Sequence, residues 1–370
     1  MKILLIRLRE IGDVVFTTPA VHALRRQYPH AELEYLVEPA AAPILTDNPH
    51  LSKLMVVPRV GGWRQPVADL ILARRLRAAR YDLAIDFHGG PRAAWLSWAS
   101  GAPQRIGYDI PGRAWMYTTR VERPRGLRPR HSVRNQWDLL GPLGIAAPDP
   151  SAFPLEMAEA ADARDAVARR LSQAQVRPEH VLIVMHVSAG NPFRRWPVDA
   201  FIELIVRLAG VNRRRRIVVT AGPSDEDVVA RMLDEAARRL PDDHRAAIVR
   251  CGEFSLAELR SLVARAALYI GGDSGPLHVA ATTRTPIVAL FGPTLPERSA
   301  PWRDPALVTE CVDVGALPCR PCEQRQCAPG DFRCLTRLSA ERVAAAAERA
   351  LARRDAIDGQ FADNAGSVQP

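Results

Sequence analysis

The chain has 370 residues, of which 47% are hydrophobic and 25% are charged, so it is long enough for two domains and has the composition of a soluble globular protein. Its formal net charge of +9 is carried almost wholly by arginine, and no apolar run approaches the roughly 20 residues of a membrane helix. Arginine binds phosphates bidentately, so the charge favours an anionic ligand or membrane surface, although scattered arginines are equally typical of solvated helix faces.

The first half alternates predicted strands and helices. Residues 3–8 (ILLIRL) are typical of a buried parallel strand, and residues 17–28 read as a helix with Pro19 in its first turn. Arg7 and Arg9 interrupt the apolar start and no small-residue cleavage site follows, so we predict no signal peptide and a cytoplasmic location. Further strand candidates are ELEYLV, KLMVVP and DLAIDF, with a helix around residues 67–79.

The second half restarts this alternation after a proline-rich stretch. AAPDPSAFPLE reads as an extended linker, followed by a helix from about residue 156 to 174. We predict an α/β fold with two doubly wound Rossmann-like domains, residues 1–165 and 166–355, and a disordered tail at 356–370. Ligands of such sheets bind at the carboxyl ends of the strands, so both halves are expected to face a central cleft. The strand candidates of the second half are VLIVMHV, RRIVVTAG, AAIVRCG, LYIGGDSG and TPIVALFG.

The turn RLREIGDVVFTTPA places Asp13 between the first strand and the first helix. A carboxylate there can accept a proton from a substrate hydroxyl, and it can equally cap the helix. The turn contains one glycine, Gly12, where a dinucleotide-binding fingerprint needs three at set spacing. A nicotinamide-dependent dehydrogenase is therefore disfavoured.

The segment LYIGGDSGPLHVAA ends a strand in two glycines and starts a helix near Pro276. Glycines let a phosphate approach the backbone, and a helix N-terminus offers free N–H groups. Ser274 adds a hydroxyl donor, whereas Asp273 would repel a phosphate and better suits sugar hydroxyls. The combination exceeds what a capped strand–helix turn, the alternative interpretation, requires, so we predict a loop that contacts phosphate and sugar hydroxyls.

Two further loops follow strands of the second half. In HVSAGNPFRRWP, Ser188 lies in a polar loop, and Arg194 and Arg195 suit a diphosphate, although such a pair is unremarkable at a helix start. In TAGPSDEDVVARM, the acidic residues 225–227 open a helix. They satisfy the helix dipole and can also bond ribose hydroxyls.

The segment CRPCEQRQCAPGDFRC contains Cys319, Cys322, Cys327 and Cys334. One C-x2-C pair with two more cysteines can hold structural zinc, but the second pair lacks the tight spacing of common zinc modules. Disulfides are disfavoured in the cytoplasm, which leaves reduced thiols or a loop-stapling role as the alternative.

Taken together, these blocks resemble glycosyltransferase family 9, the heptosyltransferase family. The similarity runs from about residue 1 to 351, and its ordered blocks include ILLIRLREIGDVVFTTPAVHALRRQYP, YDLAIDFHGGPRAAWLSWASGAPQRIG, HVSAGNPFRRWP, and GGDSGPLHVAA followed by PIVALFGPT. The resemblance implies the two-domain GT-B fold, with an acceptor-binding first domain and a nucleotide-sugar-binding second domain. It also implies transfer of heptose from ADP-heptose with inversion, without a cofactor or a metal.

The resemblance also assigns roles to individual residues. It makes Asp13 the general base and places Asp273 near the donor sugar, with Ser274 and Gly275 near the diphosphate. Glu226 matches an acid that contacts the ribose, with Asp225 as the other possible register. Arg194 stands where the family usually has lysine. The other implied donor-binding residues are Ser188, Arg195, Phe254, which falls against adenine, and His278.

The implied partners are ADP-heptose, a lipid-anchored lipopolysaccharide core acceptor and, transiently, the inner-membrane surface. Arginine-rich stretches at residues 74–80 and 120–130 are expected to meet that surface, and no nucleic acid partner is predicted because the arginines form no single tract. The alternatives are a family-9-like transferase with another donor or acceptor, and a non-catalytic protein that binds a nucleotide sugar or a nucleic acid.

Overall fold

The computed structural model describes residues 1–57, 59–123 and 130–366, with side chains described as far as residue 356. The chain divides into two compact units, Met1–Ala158 and Glu159–Pro370. The sequence placed the boundary at 165/166, which cuts through the helix Ala161–Gln173. That helix packs against the helix Leu256–Ala264, so it belongs wholly to the second unit.

The first unit is built on a parallel six-stranded sheet with strand order β3-β2-β1-β4-β5-β6. Strand β1 lies between β2 and β4, and β1, β2 and β4 are buried along most of their length, as in a sheet covered on both faces. The strands are β1 (Lys2–Ile6), β2 (Glu32–Val37), β3 (Lys53–Val56), β4 (Leu83–Asp86), β5 (Gln104–Tyr108) and β6 (Thr119–Val121). The helices are α1 (Ile11–Val15), α2 (Thr18–Gln27), α3 (Arg64–Ala78), α4 (Pro91–Ala99) and α5 (Ser132–Trp137).

The second unit repeats this architecture with strand order β12-β11-β10-β7-β8-β9. Counted from its own first strand, β7, the order is the same as in the first unit and is that of a doubly wound dinucleotide-binding sheet. The strands are β7 (Val181–His186), β8 (Arg215–Thr220), β9 (Ile248–Val249), β10 (Leu268–Gly272), β11 (Ile287–Leu290) and β12 (Thr309–Val312). The helices are α6 (Ala161–Gln173), α7 (Val198–Val211), α8 (Glu226–Arg239), α9 (Leu256–Ala264), α10 (Gly275–Ala280), α11 (Pro296–Ser299), α12 (Arg333–Thr336) and α13 (Ala340–Gly366).

The predicted fold class, α/β with two doubly wound sheets, is confirmed. Every predicted strand has a counterpart, whereas β5, β6 and β12 were not predicted because they are short and mix polar with apolar residues. The described part of the chain contains no helix that is both long and apolar enough to cross a membrane.

Two segments differ from their predicted form. The proline-rich stretch is packed onto the first unit, because Leu155 and Met157 are buried in it and the Glu156 N–H donates to Thr18 Oγ1 over 2.9 Å. Helix α13, rich in alanine and arginine, continues to Gly366 and thus into the segment 356–370 that was expected to be a disordered tail. Residues 367–370 lie outside the described residues.

Candidate functional site

Asp13 lies directly after β1, where Arg7 donates a hydrogen bond to its Oδ2 atom. Arg7 is buried, and its Nη1 also donates to the Phe87 carbonyl at the end of β4 over 2.7 Å. The guanidinium therefore fixes the Asp13 carboxylate at the point where the strand order reverses between β1 and β4. Among the described residues Oδ1 of Asp13 has no hydrogen-bond partner, and the side chain is 39% exposed.

The turn that carries Asp13 has an unusual backbone. Glu10, the residue before α1, has a φ of 70°, in the left-handed region that favours glycine. Gln136 of α5 donates through Nε2 to the Asp13 carbonyl over 3.1 Å and holds the turn from the other side. Asp13 lies inside the first turn of α1 and is not its N-cap, so the helix-cap interpretation was wrong.

The end of β4 adds buried polar groups beside Arg7. Asp86 accepts hydrogen bonds from the His88 and Gly89 N–H groups and, over 2.6 Å, from the Tyr117 hydroxyl. Burial raises the pKa of Asp86, although these donors oppose the shift. Burial, followed by the charges of Arg7 and Arg9, lowers the pKa of His88 to about 4, so its imidazole is neutral near pH 7.

In the second unit the predicted donor-binding residues follow the carboxyl ends of four neighbouring strands. Ser188 comes after β7, Glu226 after β8, Phe254 after β9, and Asp273 with Ser274 after β10. The strand order reverses between β7 and β10, which is where doubly wound sheets bind their ligands.

Asp273 is the centre of a buried network. Its Oδ2 accepts from the Thr294 hydroxyl over 2.6 Å and lies 3.2 Å from Arg194 Nη1, and its Oδ1 lies 3.6 Å from His278 Nε2. Burial alone would raise the pKa of Asp273, but the interactions with His278 and with the charge of Arg194 outweigh it and lower the pKa to about 2. The carboxylate is therefore charged and held in one orientation.

We expect this depressed pKa to appear in the acid unfolding of the protein. Asp273 has a pKa of about 2 when folded and about 3.9 when unfolded, so its charge stabilises the fold above pH 4 by about 2–3 kcal/mol, and this contribution is lost as the pH falls towards 2. Denaturant unfolding should show that the difference in free energy of unfolding between wild type and Asp273→Asn becomes smaller from pH 6 to pH 3. A difference that stays constant over this range would contradict the assignment.

Arg194 lies beside Asp273, held on two sides. Its Nη1 donates to the Asp273 carbonyl over 3.1 Å, and its Nε donates to Gln324 Oε1 over 2.6 Å. Asn191 shares that acceptor at 3.0 Å. Nη2 of Arg194 has no hydrogen-bond partner in the described part of the chain, so this end of the fork is available to a phosphate. Helix α10 begins at Gly275, and Ser274 is the residue directly before it. The Ser274 hydroxyl donates a hydrogen bond to the Gly272 carbonyl over 3.3 Å.

Ser188, Asp225 and Arg195 form a second network beside the first. Ser188 Oγ donates to Asp225 Oδ2 over 2.7 Å and accepts from the Gly222 N–H over 3.0 Å. Arg195 Nη1 lies 3.4 Å from Asp225 Oδ1, and its Nε donates to the Ala189 carbonyl. Asp225 and Arg195 therefore brace the loops after β7 and β8.

Glu226 and Phe254 line one cavity of about 190 Å³ at the ends of β8 and β9. Its inner wall includes the apolar side chains of Val219, Val229 and Leu233, which suits a flat apolar ring. The pKa of Glu253, at the same cavity, is raised first by its interaction with Glu226, so the two carboxyl groups lie close together. Such a pair can accept hydrogen bonds from a diol.

The four cysteines of the segment 319–334 line one cavity of about 60 Å³ and are free thiols. The pKa of Cys334 is raised, first by burial and then by the other three thiols. Among the described residues, the side chains close enough together to hold a metal ion are not these cysteines. They are His22, His50 and Glu156, whose ligand atoms lie within 4.8 Å of one another. The zinc hypothesis for the cysteines remains a prediction.

Several residues of these networks were not predicted. Arg7 is the first residue after β1 and Asp86 is the last residue of β4, both within predicted blocks, so their position at strand ends was a usable signal. Thr294 follows β11 in the same way. Gln324 gave no signal, because it lies in the cysteine segment, 130 residues from Arg194.

Comparisons with known proteins agree with this architecture. The family model described as glycosyltransferase family 9 (heptosyltransferase) matches residues 70–332. Lipopolysaccharide heptosyltransferase 3 of Escherichia coli (strain K12) is 30% identical over 302 residues, covering 80% of this chain and 84% of that protein.

Two solved structures share the fold. The glycosyl transferase family 9 protein from Veillonella parvula DSM 2008 superposes with a TM-score of 0.79 at 23% identity, covering 95% of this chain and 97% of that one. The ADP-heptose lps heptosyltransferase II of E. coli superposes with a TM-score of 0.75 at 19% identity, covering 96% and 100%. Because the family model matches most of the length of this chain, the chain belongs to glycosyltransferase family 9.

Proposed function

We propose that the protein transfers heptose from ADP-heptose to the inner core of a lipopolysaccharide, with inversion at the anomeric carbon. The observation that carries this proposal is that the Arg194–Asp273 pair and the cavity of Glu226 and Phe254 lie at the carboxyl ends of strands of one sheet. A cation for a diphosphate, an anion for sugar hydroxyls and an apolar cavity for a base are the parts that an ADP-sugar needs. The two Escherichia coli proteins named above are lipopolysaccharide heptosyltransferases, and the name of the second includes ADP-heptose.

In the proposed donor complex the adenine lies against Phe254, and the ribose diol donates to Glu226. Arg194 offers its Nη2 to the diphosphate. Asp273, fixed by Thr294 and His278, accepts hydrogen bonds from the heptose hydroxyls. Ser274 and Arg195 lie in the adjoining loops and are proposed as further contacts.

In the proposed reaction Asp13 is the general base. Its Oδ1 takes the proton of the acceptor hydroxyl as that oxygen bonds to the anomeric carbon of the heptose. The bond from this carbon to the β-phosphate oxygen breaks, and ADP leaves with the electron pair. The oxygen attacks the face opposite to ADP, so the configuration inverts. Arg194 stabilises the negative charge that develops on ADP.

We expect transfer to continue at the untreated rate in the presence of EDTA. The acidic run 225–227 has aspartates at its two ends, but Asp225 is already bound by Ser188 and Arg195, and Arg194 supplies a cation for the leaving group. The measurement is the rate of ADP release before and after chelation, with the unfolding midpoint followed in parallel. Prompt loss of activity that magnesium or manganese restores would contradict this mechanism.

A screen of nucleotide release tests the donor half of the proposal. Purified protein is incubated with inner-core acceptors carrying no, one or two heptoses and, in turn, with ADP-heptose, ADP-glucose, GDP-mannose and UDP-glucose. We expect release of ADP from ADP-heptose that depends on one acceptor. Release from another donor alone would assign a different sugar, and tight ADP-heptose binding without turnover on any acceptor would favour a non-catalytic binding protein.

We further propose that the protein works at the cytoplasmic face of the inner membrane through its first unit. One face of α3 exposes Val67, Leu70 and Ile71 at helical spacing, and Trp63 before it is 78% exposed. Arg64, Arg74, Arg75 and Arg77 of the same helix are also exposed. Apolar side chains and a tryptophan with flanking arginines are typical of a helix lying at an anionic bilayer surface. In the stretch 120–130, residues 124–129 lie outside the described residues.

We expect reversible binding to phosphatidylglycerol vesicles at low salt, lost at high salt, because each basic residue near an anionic surface contributes about 1 kcal/mol. Vesicle sedimentation should show that Arg74→Ala with Arg75→Ala weakens binding by about 2 kcal/mol on the same scale. Leu70→Ser should also weaken it. Val211→Ser, which changes an exposed apolar residue of the second unit, is the control. Absence of pelleting, or pelleting indifferent to salt, would refute the membrane proposal.

A further inference from the structure

Three side chains of the first unit form a cluster that the proposed reaction does not use. His22 lies on α2, His50 in the loop before β3, and Glu156 in the last segment of the unit. His22 Nδ1 is 3.0 Å from Glu156 Oε1, and His50 Nε2 is 2.9 Å from Oε2. The two imidazole rings are stacked with their centroids 4.0 Å apart.

We propose that His22, His50 and Glu156 bind a divalent transition-metal ion of the zinc class. Two imidazole nitrogens and one carboxylate are a zinc donor set that leaves one position for water or another ligand. One ligand atom from each of the three residues lies within 4.8 Å of the others, so all three are near enough to reach a single ion.

His50 Nε2 and Glu156 Oε2 are as close as two hydrogen-bonded atoms, but their geometry is not that of a hydrogen bond. Glu156 Oε2 is buried and, among the described residues, accepts no hydrogen bond although His50 Nε2 is 2.9 Å away. A buried carboxylate oxygen without a partner costs stability. Two ligand atoms that approach closely without pointing at each other are arranged as they are around a common ion.

Contacts outside the cluster fix the backbone of Glu156 and His50 and the ring of His22. The Glu156 N–H donates to Thr18 Oγ1 over 2.9 Å, and the His50 N–H donates to Asn48 Oδ1 over the same distance. The edge of Phe153 packs on the His22 ring at 5.2 Å. Such supporting contacts orient metal ligands in advance of binding.

The neighbouring cation does not occupy the ligand atoms. Arg25 donates to the backbone carbonyls of His50, Pro29 and Ala31 and to Ser52 Oγ. Its charge is therefore held by backbone oxygens, and the carboxylate of Glu156 remains for the metal. A bound ion would join α2, the loop before β3 and the end of the first unit.

Cobalt(II) titration of the metal-stripped full-length protein tests this site and separates it from the four cysteines. Thiolate ligands give cobalt strong near-ultraviolet charge-transfer bands, whereas nitrogen and oxygen ligands give only weak visible bands. We expect binding with the weak visible bands in wild type, its loss in His50→Ala, and its retention in His30→Ala, an exposed histidine of the same unit. His22→Gln, which keeps a polar side chain, is the second variant.

Thermal unfolding gives an independent readout. Added zinc should raise the Tm of wild type and of His30→Ala by a few degrees, and should leave the Tm of His50→Ala and His22→Gln unchanged. If wild type shows only thiolate-type cobalt bands or no binding, the proposal is overturned, whether or not the variants fold. Undiminished binding in both cluster variants would overturn it as well. Neither readout depends on sugar transfer, so a failure of the proposed function leaves this test intact.

Discussion

Replacing Asp13 with asparagine is expected to lower the rate of sugar transfer by about 10²–10⁴-fold, the range for loss of a positioned general base. Asparagine has the same shape, and its carbonyl oxygen can still accept the hydrogen bond from Arg7, so the turn should be preserved. It cannot take the proton of the acceptor hydroxyl. Affinity for ADP should hardly change, because the proposed donor contacts all lie in the second unit.

The measurement combines the transfer rate at saturating donor with calorimetric titration of ADP. Asp47→Asn is the matched control: Asp47 is an exposed carboxylate of the first unit with a φ of 55°, a conformation that asparagine adopts readily. The control should keep the wild-type rate. An Asp13→Asn enzyme that retains more than about a tenth of that rate would remove Asp13 from the role of base.

Arg194→Ala is expected to weaken ADP binding by about 1.5–3 kcal/mol, the contribution of one hydrogen bond to a charged group. Its Nε and Nη1 atoms are already engaged by Gln324 and Asp273, so the phosphate contact is assigned to Nη2. The fixed guanidinium loses little freedom on binding, which favours the upper part of this range. Calorimetry should show a much smaller effect for adenosine, which has no phosphate.

Two controls separate phosphate binding from stability. Arg207→Ala removes an arginine of α7 that pairs with Glu203 on the surface, and it should leave ADP affinity unchanged. Arg194→Ala also removes the cation beside Asp273, so its free energy of unfolding should fall, and this is measured without ligand. Equal losses of affinity for ADP and adenosine would mean that Arg194 shapes the loop and does not hold the diphosphate.

The sequence predicted the fold well because its signals are local. Buried parallel strands are continuous apolar runs such as residues 3–8 and VLIVMHV, and the helices between them carry their own start signals. Strands β5 and β6 lack such runs and were therefore not predicted. Strand β5 forms by pairing with β4, and β6 forms by pairing with β5. The unit boundary was misplaced because the packing of α6 on α9 is a tertiary contact.

The candidate site was predictable only in part. Asp273 and Ser274 were found because the loop after β10 contains more glycine and polar residues than a turn needs. Their partners Thr294 and Gln324 come from other loops, and no spacing in the sequence links them to Asp273 or Arg194. The cluster of His22, His50 and Glu156 was even less predictable from the sequence. Its three residues are far apart along the chain, and the fold brings them together.

A mass-spectrometric transfer assay tests the central claim most directly. The purified full-length protein is incubated with ADP-heptose and the inner-core acceptors, and the molecular mass of each acceptor is measured before and after the reaction. We predict that one acceptor gains a single heptosyl residue in the wild-type reaction and gains none with Asp13→Asn in the same time. If no acceptor gains mass while the protein is folded and binds ADP-heptose, the assignment as a heptose transferase to lipopolysaccharide is contradicted.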